Sequence, residues 1–342
     1  MVHKSTNLGG TASNVEVAKI AHGLMMMTFN AARVPDEQSF EAIKASLDSV
    51  PKGTKMVLNS GEFYGPNSSA ANLELLARFF HKYPEYAEKA FLSVKGGTKL
   101  NSLVPDSSPE NLRRSVDYIN EKLGGTKRID LYECARIDPK VPVEETIKTL
   151  VELIEENKFD HIGLSEVSAE TLRRGNAVHP IAMVEIEVSP WSYEEETKKV
   201  IATAKELNIT VAAYSPLGRG FLTGQIKKSD DLPEGDFRRS LVRFKDENMK
   251  HNIMLVDALT AIAKKKGVTP AQLSIAWVSS LGPHVVPLPG SSHSKRTLEN
   301  LDAGNIDMTP EDISEINDVI ENHEVQGDRY FGIGEKAAHL WG

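Results

Sequence analysis

Cysteine is nearly absent: Cys134 is the only one in 342 residues. A lone cysteine closes no disulfide within the chain and builds no cysteine-rich metal site. Its neighbours place it at a strand end, where a small buried hydrophobe is its plainest role. Long hydrophobic runs are missing too, and none reaches the length that crosses a bilayer. Met1-Val2-His3-Lys4-Ser5 starts no apolar signal region, so a cytoplasmic location is expected, with the nucleus also open. There is no basic surplus: 40 Lys and Arg face 48 Asp and Glu, a net charge of −8. That balance argues against general affinity for nucleic acid or for an anionic membrane. The one tight basic run, Lys264-Lys265-Lys266, closes a helical pattern before Gly267, where it complements the helix dipole. Zinc-ligand spacing, a Walker loop, a Ser-His-Asp signature and an aromatic–basic nucleic-acid motif are all lacking. No metal is therefore expected.

What the chain does have is alternation. After a polar, glycine-containing start that suits an arm or short hairpin, Val15 to Met27 is expected as the first buried strand. A helix follows to Val50, with Phe40, Ile43 and Leu47 on one face. Further apolar runs start at Met56, Ala90, Ile129, His161, Ile181, Ile209 and Val285. The stretches between them repeat near 3.6 residues, as at Leu73, Leu75, Leu76, Phe79 and Phe80. Ser108-Pro109-Glu110 opens one such helix with a cap, an N1 proline and an acidic first turn. Eight short strands alternating with helices over about 300 residues predict an α/β fold, a closed (β/α)8 TIM barrel. An open doubly wound sheet usually carries Gly-x-Gly-x-x-Gly after its first strand, and none occurs here. With no linker in evidence, residues 1–342 are expected to form one domain. Two connections break the rhythm, a long loop from Ser215 to about Asn252 after strand seven and a C-terminal tail from Glu324. Both are expected near the barrel mouth.

Barrel strands deliver their C-terminal residues to one mouth, where such folds place their chemistry. Those residues include Asn59, Tyr64, Lys95, Ala135, Ser165-Glu166, Glu185 and Tyr214-Ser215. Tyr64, in the loop after Met56-Val57-Leu58, is the candidate proton donor, although a rim aromatic is the plainer role for it alone. A free phenol titrates near pH 10, and an ammonium such as that of Lys95 favours its ionised form and polarises a bound carbonyl. On chemistry alone Lys95 also suits a Schiff-base nucleophile. Two glycine-containing stretches, residues 214–224 and 289–296, are candidate phosphate binders after strands seven and eight.

These residues also form a recognisable set. Gly61-Glu62-Phe63-Tyr64-Gly65, Val94-Lys95, residues 162–166, residues 213–220 and Leu288-Pro289-Gly290-Ser291 occur in an order that resembles the aldo-keto reductases along nearly the whole chain. Within that family the chain is most similar to the fungal pyridoxal reductases, through residues 62–65, 94–97 and 134–139. The resemblance implies NADPH bound across the mouth and hydride transfer to a small-molecule aldehyde or ketone, with pyridoxal favoured. It implies Tyr64 as proton donor helped by Lys95, and Tyr214 stacked on the nicotinamide with Ser165 and Glu185 near its carboxamide. Ser215, Leu217, Gly218 and Gly220 would wrap the pyrophosphate from the strand-seven loop. Gly290 belongs to the second loop, where Ser291, Lys295 and Arg296 would meet the 2′-phosphate, with Glu299 and Asn300 at the adenine. The chain departs from the pattern in carrying Asn59 in place of an aspartate, which is expected to cost Lys95 a charged partner. Ala135 replaces a histidine, and Glu166 and Glu185 replace amides. These departures keep open a nucleotide-binding regulatory subunit of the potassium-channel β type. A reductase of other aryl aldehydes is a third possibility. Nothing in the pattern speaks to oligomeric state.

Overall fold

The structure, a computed structural model, describes residues 2, 4–29 and 34–342; Met1 and His3 of the N-terminal stretch lie outside them. Eight strands run parallel in sequence order: β3 (His22–Gly23), β4 (Met56–Gly61), β5 (Ala90–Gly96), β6 (Leu131–Cys134), β7 (His161–Ser165), β8 (Met183–Glu187), β9 (Thr210–Tyr214) and β10 (Val285–Leu288). Gly23 pairs with Gly290, and the Ala21 and Gly23 amides donate to Pro287 and Pro289 at 2.9 and 3.0 Å, which closes the sheet into a barrel. Helices α1 (Asp36–Ser49), α2 (Ala71–Lys82), α3 (Pro109–Leu123), α4 (Val143–Glu155), α5 (Ala169–Val178) and α6 (Glu195–Glu206) connect β3 to β9. Past β9 come α7 (Asp246–Lys266) and α8 (Pro270–Ser280), and past β10 come α9 (Ser294–Asp302) and α10 (Pro310–Asn322).

The expected first strand divides in three. Glu16–Ala18 (β2) pairs antiparallel with Ser5–Asn7 (β1), only His22–Gly23 joins the barrel, and Met25–Met27 forms a 3-10 turn. A continuous apolar run cannot distinguish these pieces, because each buries its side chains against a different surface. The hairpin covers the barrel floor, where Leu8 and Ala12 pack with Val57, Phe91, Leu131, Met183, Ala212 and Val286. The loop after β9 is also shorter than expected, because α7 starts at Asp246. Helix α3 keeps its expected cap, with Ser108 Oγ accepting from the Asn111 amide at 3.3 Å. Lys266 ends α7, and Gly267 turns left-handed at φ 75°.

Strand periodicity layers the interior. Successive residues face opposite sides, so Val57, Phe91, Leu131 and Met183 form the apolar floor inside while their neighbours pack outward on the helices. Two residues further along each strand stand Asn59, Ser93, Glu133 and Glu185, all buried. An apolar floor thus carries a polar layer directly beneath the mouth.

Candidate active site

Lys95 is the centre of the polar layer, at 5% exposure. Its ammonium lies 2.5 Å from Glu185 Oε1 and 3.7 Å from Glu133 Oε1, and donates to Asn59 Oδ1 at 2.9 Å. Asn59 Nδ2 in turn donates to Glu185 Oε2 at 2.8 Å. The expectation that Asn59 costs Lys95 a charged partner is therefore corrected. Glu185 brings the charge from β8, across the barrel, and Asn59 ties the two together. Burial works against a charged Lys95, but Glu185 foremost outweighs it and raises the ammonium above its ordinary pKa. Such a lysine stays protonated, which disfavours the Schiff-base role, since that nucleophile must be a free amine.

Tyr64 stands above this layer, with the Lys95 ammonium 5.6 Å from its ring centre. Burial raises its phenol, Lys95 pulls it down, and the net shift is upward. Its ring meets Phe63 edge-on at 5.4 Å, and both pack with Ala135 and Met25. Behind it, Thr28 Oγ1 donates to the Tyr64 carbonyl at 2.6 Å, and Asn72 Nδ2 donates to Thr28 Oγ1 at 2.8 Å. Glu62 turns away, accepting from Ser115 Oγ at 2.6 Å and pairing with Arg114. The loop is thus pinned on both sides of the tyrosine, and an apolar wall faces the phenol.

A second cluster occupies the other half of the mouth. Glu166 Oε1 accepts from Tyr214 OH at 2.6 Å and from Arg329 Nη2 at 2.8 Å. Burial would raise the Glu166 carboxyl, yet Arg329 and Arg136 bring it down to about 2. Glu187 is fully buried and pairs with Arg219 at 2.9 Å and Arg329 at 3.1 Å. Tyr330 OH lies 3.0 Å from Tyr214 OH and 3.2 Å from Arg136 Nη2. The loop after β9 and the C-terminal tail thus meet at the mouth. The tail's aromatics are visible in the sequence, and Arg219 is read there as part of a phosphate-binding stretch, whereas the structure sets its guanidinium on Glu187; Arg329, Glu187 and Glu133 escaped sequence reasoning. The two-residue period in β6 and β8 is the signal that turns Glu133 and Glu187 inward with their strand neighbours.

The loop after β9 leaves the barrel through a chain of left-handed residues, Ser215, Gly218, Arg219 and Gly220. Gly218 is required twice over, since φ is +54° and an added Cβ would stand 2.5 Å from the Trp191 indole nitrogen. The Gly218 amide donates to Ser215 O and the Gly220 amide to Leu217 O, at 2.8 and 2.9 Å. Across the barrel seam, the Ser291 carbonyl accepts from His22 Nε2 at 2.9 Å, while Ser291 Oγ bonds to His293. Lys295 and Arg296 sit exposed in the first turn of α9 and make no hydrogen bond or ion pair among the described residues. Glu299 accepts from Thr269 Oγ1 at 3.0 Å, and Asn300 is buried.

Residues 19–321 match the family model described as the Aldo/keto reductase family. The chain belongs to this family. A probable pyridoxal reductase of Schizosaccharomyces pombe is 37% identical over 92% of this chain and 95% of its own length. A putative pyridoxal reductase of Saccharomyces cerevisiae is 35% identical, over 93% and 97%. A further aldo-keto reductase of S. pombe, whose name specifies NADP(+), is 38% identical over 80% of each chain. Among solved structures, a glycerol dehydrogenase from Gluconobacter oxydans superposes with a TM-score of 0.81, covering 96% of this chain and 98% of its own at 23% identity. That neighbour shares the aldo-keto reductase barrel. As a family member the chain is an oxidoreductase. Tyr64, Lys95, Asn59 and Glu185 stand together in the polar layer and its cover. Tyr214 and Ser215 lie beside Glu166 at the end of β9, and the Ser291 to Asn300 group lies beyond the seam. Glu185, expected near a nicotinamide carboxamide, has its carboxylate engaged by Lys95 and Asn59. Cys134 ends β6 fully buried, and burial with Glu133 nearby pushes its thiol up to about 12, so it is unreactive. No helix among the described residues is long and apolar enough to cross a membrane.

Proposed function

We propose that this aldo-keto reductase uses NADPH to reduce an aldehyde to an alcohol, with pyridoxal, reduced to pyridoxine, as the favoured substrate. The observation that carries the reduction is the buried Tyr64 phenol beside an ammonium held charged by Glu185. Held at the mouth, the cofactor would supply the hydride for the carbonyl carbon. Tyr64 hydrogen-bonds the carbonyl oxygen and gives it a proton, while the Lys95 charge offsets the negative charge developing on both oxygens. Phe63, Met25 and Ala135 form an apolar wall that keeps water from the reacting carbonyl.

The residues present suit this cofactor. Ser165 Oγ and Asn300 Nδ2 are buried polar atoms with no hydrogen-bond partner among the described residues. They stand where the resemblance puts the nicotinamide carboxamide and the adenine, and a buried polar group without a partner is costly. The left-handed turns from Ser215 to Gly220 suit backbone approach to a pyrophosphate. Lys295 and Arg296, at the α9 N-terminus, suit a 2′-phosphate.

Pyridoxal is favoured by the two fungal relatives named for it and by Ala135. Its ring hydroxyl, beside the aldehyde, can hydrogen-bond the carbonyl oxygen internally, which supplies polarisation a histidine would otherwise give. The regulatory-subunit alternative drew on the missing aspartate and the missing histidine; the Glu185 contact answers the first, and turnover decides between the two readings. NADPH consumption with a panel of aldehydes tests the proposal. Steady turnover with the highest kcat/KM for pyridoxal is expected; no turnover with any aldehyde refutes the enzyme, and preference for another aryl aldehyde refutes the substrate.

A further inference from the structure

Glu133 is the carboxyl of the polar layer with no role in the chemistry above. It is fully buried, at 0% exposure, and sits directly opposite Lys95 in the β5–β6 register. Neither of its side-chain oxygens receives a hydrogen bond from any N–H or O–H among the described residues. The nearest ammonium, Lys95, is 3.7 Å away and is already committed to Glu185 at 2.5 Å and Asn59 at 2.9 Å. An ionised carboxylate without donors is among the least tolerated groups in a protein interior. A protonated carboxyl, by contrast, is itself a donor.

Glu185 is the acceptor within reach. The two carboxyls converge on one ammonium, with an oxygen of each within 3.7 Å of Lys95 Nζ. The sequence makes room for the pair: Gly163 of β7 lies between β6 and β8, and a Cβ there would stand 3.2 Å from Glu133 Cγ.

We propose that Glu133 is held as a neutral acid donating its proton to Glu185, so that the pair presents a single negative charge to Lys95 and keeps the ammonium positioned for Tyr64. One cation then faces one shared anion and the buried layer is neutral, whereas two ionised carboxylates would leave a net negative charge beneath the reacting oxygen. The titratable groups facing Glu133 are Lys95 from β5, Glu185 from β8, Tyr64 from the loop after β4 and Cys134 on its own strand. Burial first, and Glu185 second, push its carboxyl well above the ordinary glutamate value, with Lys95 opposing them. Glu133 is thus a positioning residue, and its effect on turnover rests on the reductase proposal above.

The test has a readout that does not depend on turnover. Infrared spectra of the wild-type protein without substrate should show the carbonyl stretch of a protonated carboxylic acid at neutral pH. That band should vanish in Glu133→Gln and fade from the wild type as pH is raised. No such band at neutral pH, or a band that survives in Glu133→Gln, overturns the proposal; the wild-type titration decides it even if the variant folds poorly. The pH profile of kcat gives the second reading. Losing the shared proton places a second negative charge beside Lys95 and slows the reaction, so Glu133→Gln should move the basic limb to higher pH. An unmoved basic limb in an active Glu133→Gln also refutes the proposal. An enzyme that turns over no aldehyde but shows the band would refute the reductase and leave the carboxyl pair standing.

Discussion

Lys95 and Glu185, 90 positions apart in the sequence but facing each other inside the barrel, form an ion pair of 2.5 Å. β5 and β8 are not neighbours in the sheet, so the contact spans the barrel interior. Neutral Asn59 fills the remaining gap by accepting from Lys95 and donating to Glu185. An asparagine has both an acceptor and a donor, so it can serve a cation and an anion at once, which an aspartate cannot.

Tyr64→Phe deletes the hydroxyl and keeps the ring against Phe63 and Ala135. Turnover should fall by about 10²–10⁴-fold, the usual share of general acid catalysis. Thermal unfolding and NADPH binding should stay at wild-type values. Wild-type kcat in this variant would return Tyr64 to the role of a rim aromatic.

Lys95→Met removes the cation and strands Glu185. Breaking a buried pair by deleting one partner costs about 3–5 kcal/mol. Denaturant unfolding should show a loss of that size at neutral pH. Adding Glu185→Gln should restore part of that loss, because no buried charge is then left stranded. No recovery in the double variant would mean that packing, not charge, is what Lys95 contributes.

Arg296→Ala should separate the two nicotinamide cofactors. Hydrogen bonds to charged groups are worth about 1.5–3 kcal/mol, so NADPH should bind roughly tenfold to a hundredfold more weakly. NADH, with a bare 2′-hydroxyl, should hardly change. Equal weakening of both, measured by fluorescence titration, would show that the arginine does not meet the phosphate.

Glu166 ties folding stability to acid pH. Its folded pKa, about 2, lies below the ordinary 4.5 because Arg329 and Arg136 overcome the cost of burial. A depressed carboxyl contributes stability that is complete above the unfolded value and is lost as pH falls through the folded one. Wild-type stability should therefore drop between pH 4.5 and about 2. Glu166→Gln should be less stable at neutral pH and show a flatter decline across that window. Parallel profiles would mean that Arg329 is held by Glu187 alone.

Sequence by itself determined the barrel, because strand and helix periods leave their mark residue by residue: β4 to β10 and the helices from α1 to α8 fall close to where the apolar spacing puts them. Tyr64 and Lys95 were legible for the same reason, since each stands at the mouth end of a strand. The Val15 to Met27 stretch was not, because hairpin, barrel strand and turn are all buried and read alike as apolar chain. Tertiary structure alone decided the partners. Glu185 carries no mark of its distance to Lys95, and Arg329 none of its reach to Glu166 and Glu187. Periodicity says which way a side chain points along its own strand, but closure of the sheet decides which charges meet across the interior, and that depends on every strand at once.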